Sequence, residues 1–137
     1  MYKRQSFTGS DLSTADNGKG FAVKLVAVGP AGTGRDAVIP QVAKTTANTE
    51  TVYGILLSVR DGDTKRCSVQ VSGTAEAAKG AADPPVAADI GHGLLAAAGG
   101  VATTDDALGR GIVIGITGTT ATDKLIVDLS RDITQIA

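Results

Sequence analysis

The chain has 137 residues, 18 of them glycine, with no tryptophan, 3% aromatics and an apolar fraction of 42% that is largely Ala, Val, Ile and Leu. A single domain of this length buries roughly two thirds of its unfolded surface, but a core of small side chains lacks the large apolar burial that aromatics bring. Modest monomer stability, supplemented by an oligomeric or partner interface, is therefore expected. The net charge of −1 argues against a nucleic-acid binder, which needs a concentrated basic patch to displace counterions, and the lone Cys67 excludes an intramolecular disulfide framework.

Residues 1–20 show neither a helical nor a strand period and are rich in Ser, Thr, Asp, Asn and Gly. They read as an extended N-terminal arm: disordered in isolation by composition, yet carrying Tyr2, Lys3, Arg4 and Phe7 as an apolar and cationic anchor. The polar run after Lys3-Arg4 is not a signal peptide, and the chain contains no apolar run of about 18 residues with which a helix would span a membrane. Synthesis and assembly in the cytoplasm are expected.

The body begins at Phe21, where FAVKLVAV predicts a first strand ended by Gly29-Pro30. The next loop, GPAGTGRD, has glycine spacing like a phosphate-binding loop. Arg35 and Asp36 stand where a Lys and a Ser or Thr are needed, and Pro40 interrupts the required helix, so it reads as a surface loop. AVIPQVA predicts a second strand, confined by Pro40 to an edge or a bulge.

Val52 to Gly73 predicts a hairpin turning at Asp61-Gly62. Tyr53, Ile55, Leu57 and Val59 fall on one face of its first strand, with Gly54 on the other. Cys67, Val69 and Val71 alternate with Ser68, Gln70 and Ser72 in the return strand. Cys67 faces inward, a structural thiol with no local base.

Thr74 to Gly91 predicts a short strand and a connector cut by Gly80 and Pro84-Pro85. His92, flanked by Gly91 and Gly93, is a loop residue without partner ligands. LLAAA-GG-VATT predicts a second hairpin turning at Gly99-Gly100. Ile112 to Thr117 and Lys124 to Ser130 predict a third, with Leu125, Val127 and Leu129 on one face.

The first and third hairpins match in order: a strand with a central glycine, a polar turn, an alternating strand. Gly54 aligns with Gly115 and Val69 with Val127, and two copies suit one closed body rather than a solenoid. The expected fold is all-β: a compact β-sandwich or β-barrel with an internal two-fold repeat, residues 21–137 forming a single β domain behind the arm at 1–20.

Val69-Gln70-Val71-Ser72-Gly73, then Gly93-Leu94-Leu95 with Gly100-Val101, then Ile114-Gly115-Ile116, then Leu125 to Leu129 resemble the strand pattern of the capsid decoration (cement) proteins of tailed bacteriophages. The resemblance covers about Val52 to Ser130; the N-terminal arm and the Gly29 to Asp36 loop have no clear counterpart in it. It implies a non-enzymatic virion protein on the capsid exterior. Its partner would be the major capsid protein, bound as a homotrimer at threefold or quasi-threefold positions, with avidity from linked copies. Tyr2, Lys3, Arg4 and Phe7 are the candidate capsid contacts. A rival is a β-rich module of a phage fibre or adhesin binding a cell-surface ligand, against which the scarcity of aromatics argues. A small enzyme or ligand-binding barrel would need a paired carboxylate, a nucleophile with its base, or a ligand cluster. None is legible, so no catalytic residue, cofactor, metal, nucleic-acid or membrane partner is expected.

Overall fold

The computed structural model describes residues 3–9 as backbone, and residues 12–26, 41–60, 66–79, 83–105 and 109–130. Among these the chain is all-β, with ten strands and short 3-10 turns. The Gly29 to Asp36 loop, Pro40, the Asp61-Gly62 turn and Tyr2 lie outside the described residues.

Five strands close a barrel: β1 (Lys3–Gly9), β2 (Ala22–Val26), β3 (Gln41–Lys44), β4 (Gly54–Val59) and β5 (Arg66–Ser72), in the order β1-β3-β2-β4-β5. β1 runs parallel to β3 at Thr8 and Gly9 and antiparallel to β5 from Lys3 to Thr8. The expected arm is thus drawn into the sheet over these residues. Leu12 extends the barrel core, and the Thr14–Asp16 turn buries Asp16. The reason is topological: closing a barrel removes sheet edges, and a strand bonded through its backbone needs no strong apolar alternation of its own.

The barrel interior holds Leu12, Val23, Val42, Leu56, Val59, Cys67 and Val69, with Val71 packed against them. Cys67, Val69 and Val71 therefore share a face as expected. β4 departs from its expected alternation because both of its faces are covered. Ile55 points out of the barrel into a second core while Leu56 points in, each 1% exposed. A bulge between Leu56 and Ser58 then resets the period, so Val59 joins Leu56 inside and Leu57 is half-buried.

The second layer comprises β6 (Thr74–Ala78), β7 (Gly93–Ala96), β8 (Ala102–Asp105), β9 (Ile112–Ile116) and β10 (Lys124–Asp128). β6-β10-β9 is one sheet and β7-β8 another, the latter turning through Gly99 and Gly100 at φ 76° and 79°. Isolated bridges join them. Lys79 pairs in parallel with Ala102, Leu94 pairs antiparallel with Arg110, and the Val113 amide donates to the His92 carbonyl at 2.8 Å. Followed through these bridges, pairing runs β6-β8-β7-β9-β10 and back to β6, the order of the barrel with β6 in the place of β1. The parallel contact Lys79/Ala102 stands where Gly9/Val42 stands in the barrel.

Leu94, Ala96, Ala102, Val113, Leu125, Val127 and Leu129 fill this layer, and Ala22, Val52 and Ile55 join them from the barrel's outer face. The seam is polar. Leu129 donates its amide to the Gly73 carbonyl at 2.8 Å, and the Gly73 amide donates to Ser130 Oγ at 2.9 Å. The Arg110 guanidinium donates to the carbonyls of Val71 (2.6 Å) and Leu129.

All three expected hairpins are present, but the glycine alignment needs correction. A Cβ on Gly54 would stand 2.6 Å from the Gln70 carbonyl oxygen and 2.7 Å from Val69 Cγ1. The glycine in equivalent surroundings is Gly111, against Val127 Cγ1 at 2.8 Å and the Asp128 carbonyl at 2.9 Å. Gly115 has its nearest neighbour at 3.5 Å, an ordinary contact.

Candidate functional site

Among the described residues, three of the five buried polar side chains, Asp16, Lys79 and Asp89, gather at two 3-10 turns, one in each half. Ala15-Asp16-Asn17-Gly18 follows β1, and Ala88-Asp89-Ile90-Gly91 follows β6. In both, one carboxylate oxygen accepts the backbone amide three residues earlier at 2.9 Å, from Ser13 and Val86 respectively, as an N-cap does for an orphan donor. The other oxygen takes a donor from the third strand of its own half: Lys44 Nζ at 3.4 Å for Asp16, Thr104 Oγ1 at 2.7 Å for Asp89. Gly18 and Gly91, at φ 71° and 93°, let the chain leave each turn.

The two sites diverge in their surroundings. Lys44 is a quarter exposed and lies over the Phe21 ring, 5.2 Å from its centroid. Lys79, only 4% exposed, meets Asp89 at 3.1 Å, Asp83 at 3.3 Å and the Pro84 carbonyl at 3.4 Å. Burial opposes ionisation of Asp89, but hydrogen bonds from Thr104, the Val86 amide and Lys79 outweigh it and hold the carboxyl below its ordinary value. His92 Nδ1 lies 3.4 Å from Thr104 Oγ1.

His92, Thr104 and Asp89 hold the residue types of a hydrolytic triad in the wrong order. The hydroxyl sits between imidazole and carboxylate and already gives its proton to Asp89, so no base is positioned to activate it. The arrangement closes the Ala87–Asp89 turn onto β8, with His92 beside it. The Cys67 thiol is buried and pushed up to about 11 by desolvation, the behaviour of an inert core thiol.

A groove of about 700 Å³ runs along β2 and β3 past Lys24, Leu25, Lys44, Glu50 and Tyr53. Its charges are matched internally. Lys24 pairs with Glu50, which also accepts the amides of Thr46 and Ala47 and is lowered to about 2, chiefly by Lys24. Among the described residues no group of three or more His, Cys, Asp or Glu is arranged to hold a metal ion, and no helix is long and apolar enough to cross a membrane.

Of the candidate capsid contacts, Lys3, Arg4 and Phe7 lie along β1 opposite Ser72, Gln70 and Cys67. They share a barrel strand rather than a free arm. The paired aspartate turns escape a search for hairpins, although the repeated Ala-Asp-x-Gly was there to be seen. No family model matches the chain, and no curated protein matches it.

Proposed function

We propose that the protein is a structural virion protein that binds the outer surface of a phage capsid and stabilises it as a homotrimeric decoration protein, in contact with the major capsid protein. One observation carries this reading. The segments resembling that family fall in order on β5, the β7-β8 hairpin, β9 and β10, which are the last strand of the barrel and the second layer apart from β6. The recurrence of one pairing order and of the aspartate turn in both halves supports an internal repeat, a five-stranded unit used twice. Polar groups committed to holding turns and seams suit a protein whose work is surface contact.

β1 remains the candidate route to the shell through Lys3, Arg4 and Phe7, now as the opening of the barrel rather than a detached arm, with Tyr2 kept as a candidate from the sequence alone. The test is direct. Particles purified from cells that make the chain should carry it on their exterior, and deleting its gene should yield heads that release DNA at a lower temperature. Particles without the chain, or heads unaltered by the deletion, would overturn the proposal.

A further inference from the structure

Ser58, Arg60, Arg66 and Ser68 stand together on the outer surface of the barrel. Ser58 pairs with Ser68 and Val59 with Cys67 across β4 and β5. The Arg60 amide donates to the Arg66 carbonyl at 2.7 Å, so the two arginines face each other at the next position. Val59 and Cys67 point into the barrel core, and the pleat turns the residues on either side of them outward. With Cys67, these four line a depression of about 290 Å³.

Two guanidiniums directly opposite each other on neighbouring strands repel and weaken the hairpin. Among the described residues no carboxylate lines the depression. The turn that joins the strands leaves a positive balance, because the two arginines and Lys65 stand against Asp61 and Asp63, a net charge of +1. Arg66 has a further interaction of its own, but a guanidinium carries five donors and one partner does not use them all.

The second half of the molecule shows that such a hairpin does not require this pair. There the same closing bond runs from the Thr117 amide to the Lys124 carbonyl at 2.9 Å, and Gly115 stands opposite Ile126 where Ser58 meets Ser68. Lys124 Nζ donates to the Gly18 carbonyl at 2.8 Å and Thr117 Oγ1 to Asp123 at 2.9 Å, so these side chains are engaged within the fold. The adjoining strand continues the contrast. Ser6 and Thr8 of β1 occupy the register positions beside Ser68 and Arg66, whereas Glu76 and Ala78 of β6 occupy those beside Ile126 and Lys124. One half thus gathers hydroxyl and guanidinium residues where the other has a carboxylate, a glycine and an aliphatic side chain.

We propose that this depression binds a tetrahedral oxyanion, phosphate or sulfate, either free or as the terminal group of a larger molecule. Two guanidiniums and two hydroxyls present donors at four places. A tetrahedral anion has an oxygen for each, whereas a carboxylate has only two. Seated between the arginines, the anion replaces their mutual repulsion with charge-assisted hydrogen bonds. The site is independent of the capsid reading: a chain that takes up phosphate and ignores capsids leaves it intact.

The full chain is titrated with sodium phosphate, sodium sulfate, glycerol 3-phosphate and sodium acetate at constant ionic strength, followed by amide NMR shifts and by melting temperature. Phosphate and sulfate should give saturable shifts centred on Ser58, Arg60, Arg66 and Ser68 and should raise the melting temperature, with acetate clearly weaker. Glycerol 3-phosphate binding as tightly as phosphate assigns the site to a phosphoryl group on a larger molecule, and its exclusion assigns it to the free ion. The second half supplies the variant, Arg60→Thr with Arg66→Lys, which should weaken phosphate binding at least about tenfold. Without the anion, its melting temperature should hold or rise, since the opposed guanidiniums are gone. If that variant fails to fold, the titrations of the wild-type chain decide alone. Shifts that do not saturate or that spread over the other cationic residues, acetate equal to phosphate, or a folded variant that binds like wild type would each overturn the site.

Discussion

Asp16 and Asp89, both buried, cap similar turns in the two halves of the molecule, yet one meets a lysine open to water and the other a lysine sealed from it. Around Asp16 the counter-ion is a lysine that water still reaches; around Asp89 a lysine with 4% exposure has given up its hydration to two carboxylates and a carbonyl. Equal geometry at the carboxylate thus leads to unequal energetics, because the cost of breaking an ion pair depends on whether the abandoned partner can be rehydrated.

The largest expected effect follows from that inequality. Asp89→Ala leaves the buried Lys79 with only the exposed Asp83 and the Pro84 carbonyl and removes the acceptor of the Val86 amide and Thr104, and should cost up to about 3–5 kcal/mol, whereas Asp16→Ala loses a cap beside a lysine that can turn to solvent and should cost about 1 kcal/mol. Urea unfolding of the two variants measures the difference, and equal losses would break the comparison.

A second contrast concerns the glycines. Gly54→Ala drives a methyl group against the Gln70 carbonyl and Val69 and should destabilise by about 1–3 kcal/mol, while Gly115→Ala, with its nearest neighbour at 3.5 Å, should be neutral within about 0.5 kcal/mol. Melting temperatures of the pair decide it. A costly Gly115→Ala would restore the alignment of Gly54 with Gly115.

The smallest effect is in acid. The folded-state values of Asp89 and Glu50 lie below their ordinary ones, so their contributions are present above the unfolded values and are lost as pH falls through the folded ones. For Glu50 the window runs from 4.5 down to about 2. Glu50→Gln should lower stability at neutral pH, flatten the profile across that window and converge with the wild type below it, which acid titration of thermal stability would reveal.

Legibility from sequence followed the number of covered faces. β5 and β10 present a largely apolar face to one core, so their alternation was plain in Cys67-Val69-Val71 and Leu125-Val127-Leu129. β4 lies between two cores and carries a bulge, which defeats a two-residue period through Ile55 and Leu56. β1 was hidden because barrel closure, not side-chain alternation, accounts for its pairing. The glycine correspondence failed because matching strand centres by residue type could not sense which glycine lies under a carbonyl. Ala-Asp-x-Gly was readable twice, but its first copy lay in a segment taken for an arm.

Arg110 reaches carbonyls that end the last strand of each half, Val71 and Leu129. If one half melted alone, this guanidinium would lose an acceptor, and the surviving half would be left with Ala22, Val52 and Ile55, or their opposite wall, bare. Partial unfolding is therefore penalised at the joint. The two halves should disappear in a single calorimetric transition, and a pulling force applied to either end should meet one mechanical unit rather than two beads on a string.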